Sequence, residues 1–205
     1  LTINQSNNSY NADLQTIPTH STGSQRDGTW QHGYFEARIQ FANAPTSKGG
    51  GGWPSFWTFA VQAQSPVAGQ LTAEWDILEA FLTGSVAQVF NTGHNWMNTA
   101  QYSTGTDTYN TNGTNLQVSL QGSTDPAQPT DEGWHTYGCL WWGTGVTGYI
   151  QCYYDDHLVV HENGVTTFPT GQGAGLSAQE SDNMYMLLGT ATGWPINVDW
   201  VRVWQ

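Results

Sequence analysis

No window of ten or more residues in this chain holds a convincing 3.6-residue apolar period, and Gly, Pro or Asn interrupts most candidates, so helix is expected to be minor. Alternation is what repeats. From Gly33, the run Tyr34-Phe35-Glu36-Ala37-Arg38-Ile39-Gln40-Phe41 alternates in type and is rich in residues that suit a pleated, half-buried surface. Further strands are predicted at Ser55 to Val61, Thr72 to Phe81, Val86 to Thr92, His135 to Trp142, Gly148 to Tyr154, Met184 to Thr190 and Asn197 to Trp204, with turn residues between nearly all of them. Ala44 to Gly52, Ala100 to Thr114 and Gly122 to Gly133 are rich in Gly, Ser, Thr and Asn and read as surface loops, and no internal repeat or linker is visible. Many short strands in 205 residues predict one all-β domain over 1–205, built as two packed antiparallel sheets, with a closed barrel as second choice. Either can present a groove on one sheet.

Charge narrows the partners. Arg26, Arg38, Lys48 and Arg202 are the four basic residues against sixteen acidic ones, a formal net charge of -12. A nucleic-acid partner is therefore not expected. The same shortage weighs against a polyanionic glycan, whose sulfates or uronates need several Arg or Lys to replace lost hydration, whereas a neutral sugar polymer needs none. Charged residues make up 10% of the chain, beside eleven Trp, nine Tyr and 24 Gly, which is the composition of an extracellular β-protein and not of a disordered one. No apolar run approaches the roughly 20 residues needed to cross a bilayer, so no membrane association is expected. The chain begins at Leu1 without an initiator Met or an apolar leader, so any signal peptide has been removed or was never included, and secretion has to be argued otherwise. Sequons at Asn4, Asn7 and Asn112 agree weakly with export from a eukaryote, because such triplets arise often by chance in Asn-rich sequence.

Two cysteines, Cys139 and Cys152, flank a predicted hairpin whose turn is Gly143-Thr144-Gly145-Val146-Thr147-Gly148. Counting outward from its centre pairs them directly, which favours a cross-strand disulfide over two separate buried thiols.

The segment that bears most on chemistry is Glu74-Trp75-Asp76-Ile77-Leu78-Glu79, three carboxylates in six residues of an otherwise strand-like run. Alternation puts Glu74 and Asp76 on one face and Trp75 and Ile77 on the other, and a regular strand would send Glu79 backwards. One extra residue near Ile77-Leu78, a β-bulge, returns Glu79 to the face of the other two. Crowded carboxylates raise one another's proton affinity, so such a set can hold an acid and a base at one pH. Cleavage of a glycosidic bond with retention requires that division, a carboxylate that attacks the anomeric carbon and a protonated partner about 5 to 5.5 Å away. The alternatives are a solvated charged face or a calcium site.

The six residues EWDILE resemble the signature of glycoside hydrolase family 16 in its bulged, laminarinase-like form. HGYFEARIQF, GGWPSFWTF, EGWHTYGCLWW, VTGYIQCYYDDHLVV and INVDWVRVW each resemble family segments in the expected order, from about Gly33 to the C-terminus. The resemblance implies a concanavalin A-like β-jelly roll whose concave sheet forms a substrate cleft. It implies Glu74 as nucleophile, Glu79 as general acid/base and Asp76 as the carboxylate between them that tunes the nucleophile. It also implies a retaining endo-β-glycosidase that needs no cofactor, with β-1,3- or β-1,3(4)-glucan as the first substrate expectation. An endo-β-galactanase or a transglycosylase would use the same catalytic residues. A lectin-like binding module could use the same fold, although three intact carboxylates argue against it. A secreted monomer is expected, with a polysaccharide as its partner.

Sugar rings have apolar faces, so aromatic platforms are sought near the carboxylates, and Trp53, Trp57 and Trp96 are the candidates. Trp53 and Trp57 lie in the segment resembling the family strand WPAFW, where Phe56, of opposite parity, is expected in the core. His94, one hairpin after the catalytic strand, stands where family members often carry a His and is expected to contact substrate or Glu79. Asp199 matches a position that in many members helps bind a structural calcium. Gly189 departs from the family pattern, standing where Asn is common. Glu36 and Arg38 are read as structural, Trp200 and Trp204 as core, and at least half of the eleven Trp as buried.

Overall fold

The computed structural model describes residues 2–3, 12–16, 28–41, 53–61, 71–83, 86–97, 106–107, 118–119, 133–143, 147–160, 166–170, 183–190 and 194–205. In chain order the strands are β1 (Thr2–Ile3), β2 (Ala12–Gln15), β3 (Thr29–Trp30), β4 (Gly33–Phe41), β5 (Ser55–Ala60), β6 (Leu71–Thr83) and β7 (Val86–Met97). There follow β8 (Thr106–Asp107), β9 (Val118–Ser119), β10 (Trp134–Trp142), β11 (Tyr149–Tyr154), β12 (His157–Leu158), β13 (Phe168–Pro169), β14 (Met184–Thr190) and β15 (Ile196–Trp204). All eight predicted strands are present, and the additions are pairs or quartets of residues too short to show a period. Thr106–Asp107, inside a segment read as loop, pairs with Trp96 and Met97. Most of the other expected loop positions, and the three sequons, lie outside the described residues.

Two antiparallel sheets face each other. One runs β1-β15-β4-β10-β11-β12 with β13 on β11, and the other β2-β14-β5-β6-β7-β8 with β3 on β14 and β9 on β7. Among the described residues there is no α-helix, and the expected sandwich, not the barrel, is what the strands form.

The core follows from parity. On β4, Phe35, Ala37, Ile39 and Phe41 point inward, and on β5, Phe56 and Ala60 do, meeting Trp75, Ile77, Leu78 and Ala80 of β6. Burying such side chains stabilises the sandwich by about 1.5–3 kcal/mol for each large one. The cysteines occupy facing positions, Cys139 opposite Cys152 in the β10–β11 register, and form the expected disulfide inside this core.

One expectation about the core fails. Only Trp75, Trp141 and Trp194 are buried, while Trp53, Trp134, Trp142 and Trp204 are exposed. Trp200 and Trp204 are not core residues, because their strand turns them outward: Trp200 lies under the Arg202 guanidinium at 4.1 Å, and Trp204 packs on Tyr34. Outward-facing indoles on a sheet are an observation in their own right.

Candidate active site

The bulge lies at the predicted position. Between β6 and β7 the register passes from Asp76↔Thr92 to Glu79↔Phe90, three steps on one strand against two on the other. Between β5 and β6 it passes from Trp57↔Asp76 to Phe56↔Leu78, two steps on β6 against one. Ile77 and Leu78 are consecutive yet both enter the core, which is what an extra residue permits. Glu79 thereby returns to the side of Glu74 and Asp76, and all three line one cleft of about 200 Å³ with Trp53, Ser55, Trp57 and Thr190.

Buried polar groups hold the irregularity. Disrupting a ladder frees backbone carbonyls, and these need partners. The carboxamide of Asn91, itself buried, donates to the Ile77 carbonyl, and the Thr58 hydroxyl donates to that of Trp75 at 3.3 Å. The Ala80 amide donates to the Pro54 carbonyl at 2.8 Å, just beyond the bulge. Sequence reasoning missed Asn91, although a carboxamide in a β-former run one strand from a bulge was the available signal. Asn91→Ala is expected to cost about 1–3 kcal/mol by leaving the Ile77 carbonyl without its donor. It should also lower kcat more than it raises KM, because Glu79 loses its fixed position. Denaturant titration and steady-state kinetics check both, and lost stability with kcat intact would mean that register alone holds the bulge.

Each outer glutamate is held by an indole. Trp96 Nε1 donates to Glu74 Oε2 at 2.8 Å, and Trp53 Nε1 donates to Glu79 Oε1 at 2.9 Å. Trp53 is 55% exposed at the mouth of the cleft, so one of its ring faces remains accessible to a sugar. Trp57 also lines the cleft and packs on Phe59. Phe56 is fully buried, as its parity required.

His94 does not meet Glu79. The register places it opposite Glu74, whereas Glu79 faces Phe90 four residues earlier, and its Nε2 lies 3.2 Å from Asp76 Oδ2. It also stacks on Trp96, with ring centroids 5.1 Å apart. Of the two contacts expected of His94, with substrate or with Glu79, the second is replaced by one with Asp76.

Opposing influences act on the charge of Glu74. Burial pushes its pKa well above the usual carboxylate range and the charge of Asp76 adds to the rise, as does Glu79 more weakly. His94 and the Trp96 indole N–H pull the other way, favouring the anion.

Ligand atoms of Glu74, Asp76 and His94 lie within 4.8 Å of one another and could hold a metal ion. An imidazole among so few oxygens does not suit calcium, which takes six to eight oxygen ligands. Asp199, the expected calcium position, is on the opposite sheet and its Oδ2 is 2.7 Å from Arg38 Nη1. A guanidinium on that carboxylate competes for one of the oxygens a cation would use, so the described residues there do not by themselves fit the ion. The pairing supports the structural reading of Arg38, and Glu36 accepts from the Tyr34 hydroxyl at 2.9 Å.

No protein-family model matches the chain, and no curated protein does. Solved structures do resemble it. An endo-1,3-beta-glucanase from Streptomyces sioyaensis has TM-score 0.60 and 18% identity, over 94% of this chain and 69% of that one. A laminarinase from Flavobacterium sp. UMI-01 has TM-score 0.57 and 21% identity, over 89% of this chain and 70% of that one. The kappa-carrageenase of Zobellia galactanivorans has TM-score 0.57 and 17% identity, over 100% and 77%. The chain therefore spans roughly two-thirds to three-quarters of the length of these proteins. Two antiparallel sheets in this order, with the carboxylate strand inside one of them, are the β-jelly-roll fold of laminarinases and endo-glucanases.

Proposed function

We propose that this chain is a retaining endo-β-glycosidase of glycoside hydrolase family 16, acting on a neutral β-linked polysaccharide, with β-1,3- or β-1,3(4)-glucan as substrate. The observation that carries this reading is the bulge that gathers Glu74, Asp76 and Glu79 into one aromatic-walled cleft. The laminarinase and endo-1,3-beta-glucanase among the fold neighbours support the glucan. The kappa-carrageenase does not shift the choice, because no Lys or Arg is among the described residues lining the cleft. A disulfide in the core supports a secreted protein.

Glu74 attacks the anomeric carbon while Glu79 gives its proton to the departing oxygen, and the glycosyl–enzyme ester is then hydrolysed by a water that Glu79 deprotonates. Trp96 directs an N–H at the Glu74 anion, and Trp53 fixes the orientation of Glu79. Asp76, with His94 at its buried Oδ2, sets how readily Glu74 ionises. The chemistry needs no cofactor.

Neutral glucans and galactans are screened for new reducing ends, and azide then separates the roles. With Glu74→Ala, azide enters from the side the carboxylate vacated and yields a glycosyl azide of inverted configuration. With Glu79→Ala, it replaces water in the second step and yields the retained one. The opposite pairing would exchange the two roles, and binding without cleavage by the unaltered protein would favour a lectin-like module.

A further inference from the structure

A second and larger cleft, of about 660 Å³, shares no lining residue with the first among the described residues. It lies at the end of the sandwich where β4 begins and β10 and β15 end. Its wall follows from register: Tyr34 on the outer face of β4 has Leu140 beside it on β10 and Trp204 on β15. Trp142, two residues past Leu140, shares that face, and Trp30 closes the cleft from the other sheet.

Trp142 is 59% and Trp204 45% exposed, and the rings of Tyr34 and Trp204 lie 5.5 Å apart at 36°. Exposed Gln31 and Gln205 lie beside these rings, His32 and the buried Asn183 also line the cleft, and no Lys, Arg, Asp or Glu is among the described lining residues. Open indole faces edged by uncharged donors and acceptors suit a ligand with apolar ring faces and equatorial hydroxyls. An anionic ligand would find no Lys or Arg among the described lining residues. A second copy of this chain would bring another -12 of charge, which opposes association.

We propose that this cleft is a second, non-catalytic binding site for a neutral glycan chain. Its ligand class is argued from the cleft alone, and its identity with the substrate of the catalytic cleft rests on the reading above. Two sites on one rigid body raise the effective concentration of polymer at the catalytic cleft. The benefit is then confined to long chains, because a short oligosaccharide cannot engage both.

Soluble β-1,3-glucan and mixed-linkage β-glucan serve as probes in affinity electrophoresis. The Trp142→Ala/Trp204→Ala variant is expected to bind polymer at least fivefold more weakly, while its kcat/KM on a short chromogenic β-glucoside oligomer stays within twofold of the parent. Equal retardation of variant and parent would overturn the second site. Should the paired variant fold poorly, calorimetric titration of Glu74→Gln with a β-glucan oligosaccharide decides instead, two sites per chain supporting the proposal and one overturning it. Retardation that depends on Trp142 and Trp204 in a protein that cleaves nothing would support this site while sinking the hydrolase reading. A dimer that dissociates on the paired substitution, with glycan binding unchanged, would overturn it in favour of self-association.

Discussion

Glu74→Gln is expected to reduce turnover by about 10⁴-fold or more and to raise the thermal midpoint at neutral pH. The first effect follows from removing the nucleophile, since an amide oxygen forms no productive glycosyl ester. The second follows from linkage. Burial and the Asp76 charge raise the Glu74 pKa in the folded state, so the native protein binds this proton more tightly than the unfolded chain does. Stability contributed by protonated Glu74 is thus complete below the ordinary carboxylate range and is lost as pH rises through the raised value. Gln should therefore stabilise near pH 7 and have little effect near pH 3. The same shift governs catalysis in the parent: kcat/KM should fall on the acid side as Glu74 takes up its proton, with the limb above the usual carboxylate range. Thermal melts at the two pH values, with the pH–rate profile, check this. A midpoint lowered by Glu74→Gln at neutral pH would mean that the buried charge is fully compensated by His94 and Trp96.

Replacing both cysteines by alanine is expected to remove about 3 kcal/mol of stability, the loop-closure entropy of a bridge across a loop of this size. For a chain of this length that corresponds to a fall of about 6–12 °C in the thermal midpoint. Cys139 and Cys152 face each other across β10 and β11, thirteen residues apart, with both side chains in the core. Burial also shields the bridge from thiols until the sheet opens, so reductant should lower the parent's midpoint slowly and leave the variant's unchanged. The bridge belongs to the sheet opposite the carboxylates, so kcat/KM well below the transition should be nearly unaltered. Coincident melting of variant and parent would show that the sheet does not depend on it.

The long strands could be read from the chain because alternation is local: β4 and β14 begin and end at the predicted residues. Cys139 and Cys152 could be paired because a hairpin fixes its register by counting. The short strands could not, since Thr2–Ile3 or Phe168–Pro169 becomes a strand only when β15 or β11 offers it a ladder. The outward turn of Trp200 and Trp204 was hidden for a related reason. Composition marks Trp as a core residue, but strand parity, with a register irregularity between Val198 and Trp200, decides which face it takes.

The sequence by itself pointed to the strands of an antiparallel all-β domain, to the facing cysteines and to an extra residue near Ile77-Leu78, because each follows from a two-residue period along one strand or hairpin. Tertiary structure alone decided which groups meet those carboxylates. Trp53 reaches Glu79, Trp96 reaches Glu74, His94 settles on Asp76, and Asn91 holds the bulge from the neighbouring strand. Such contacts cross between strands, and their partners are fixed by register, which no single strand contains.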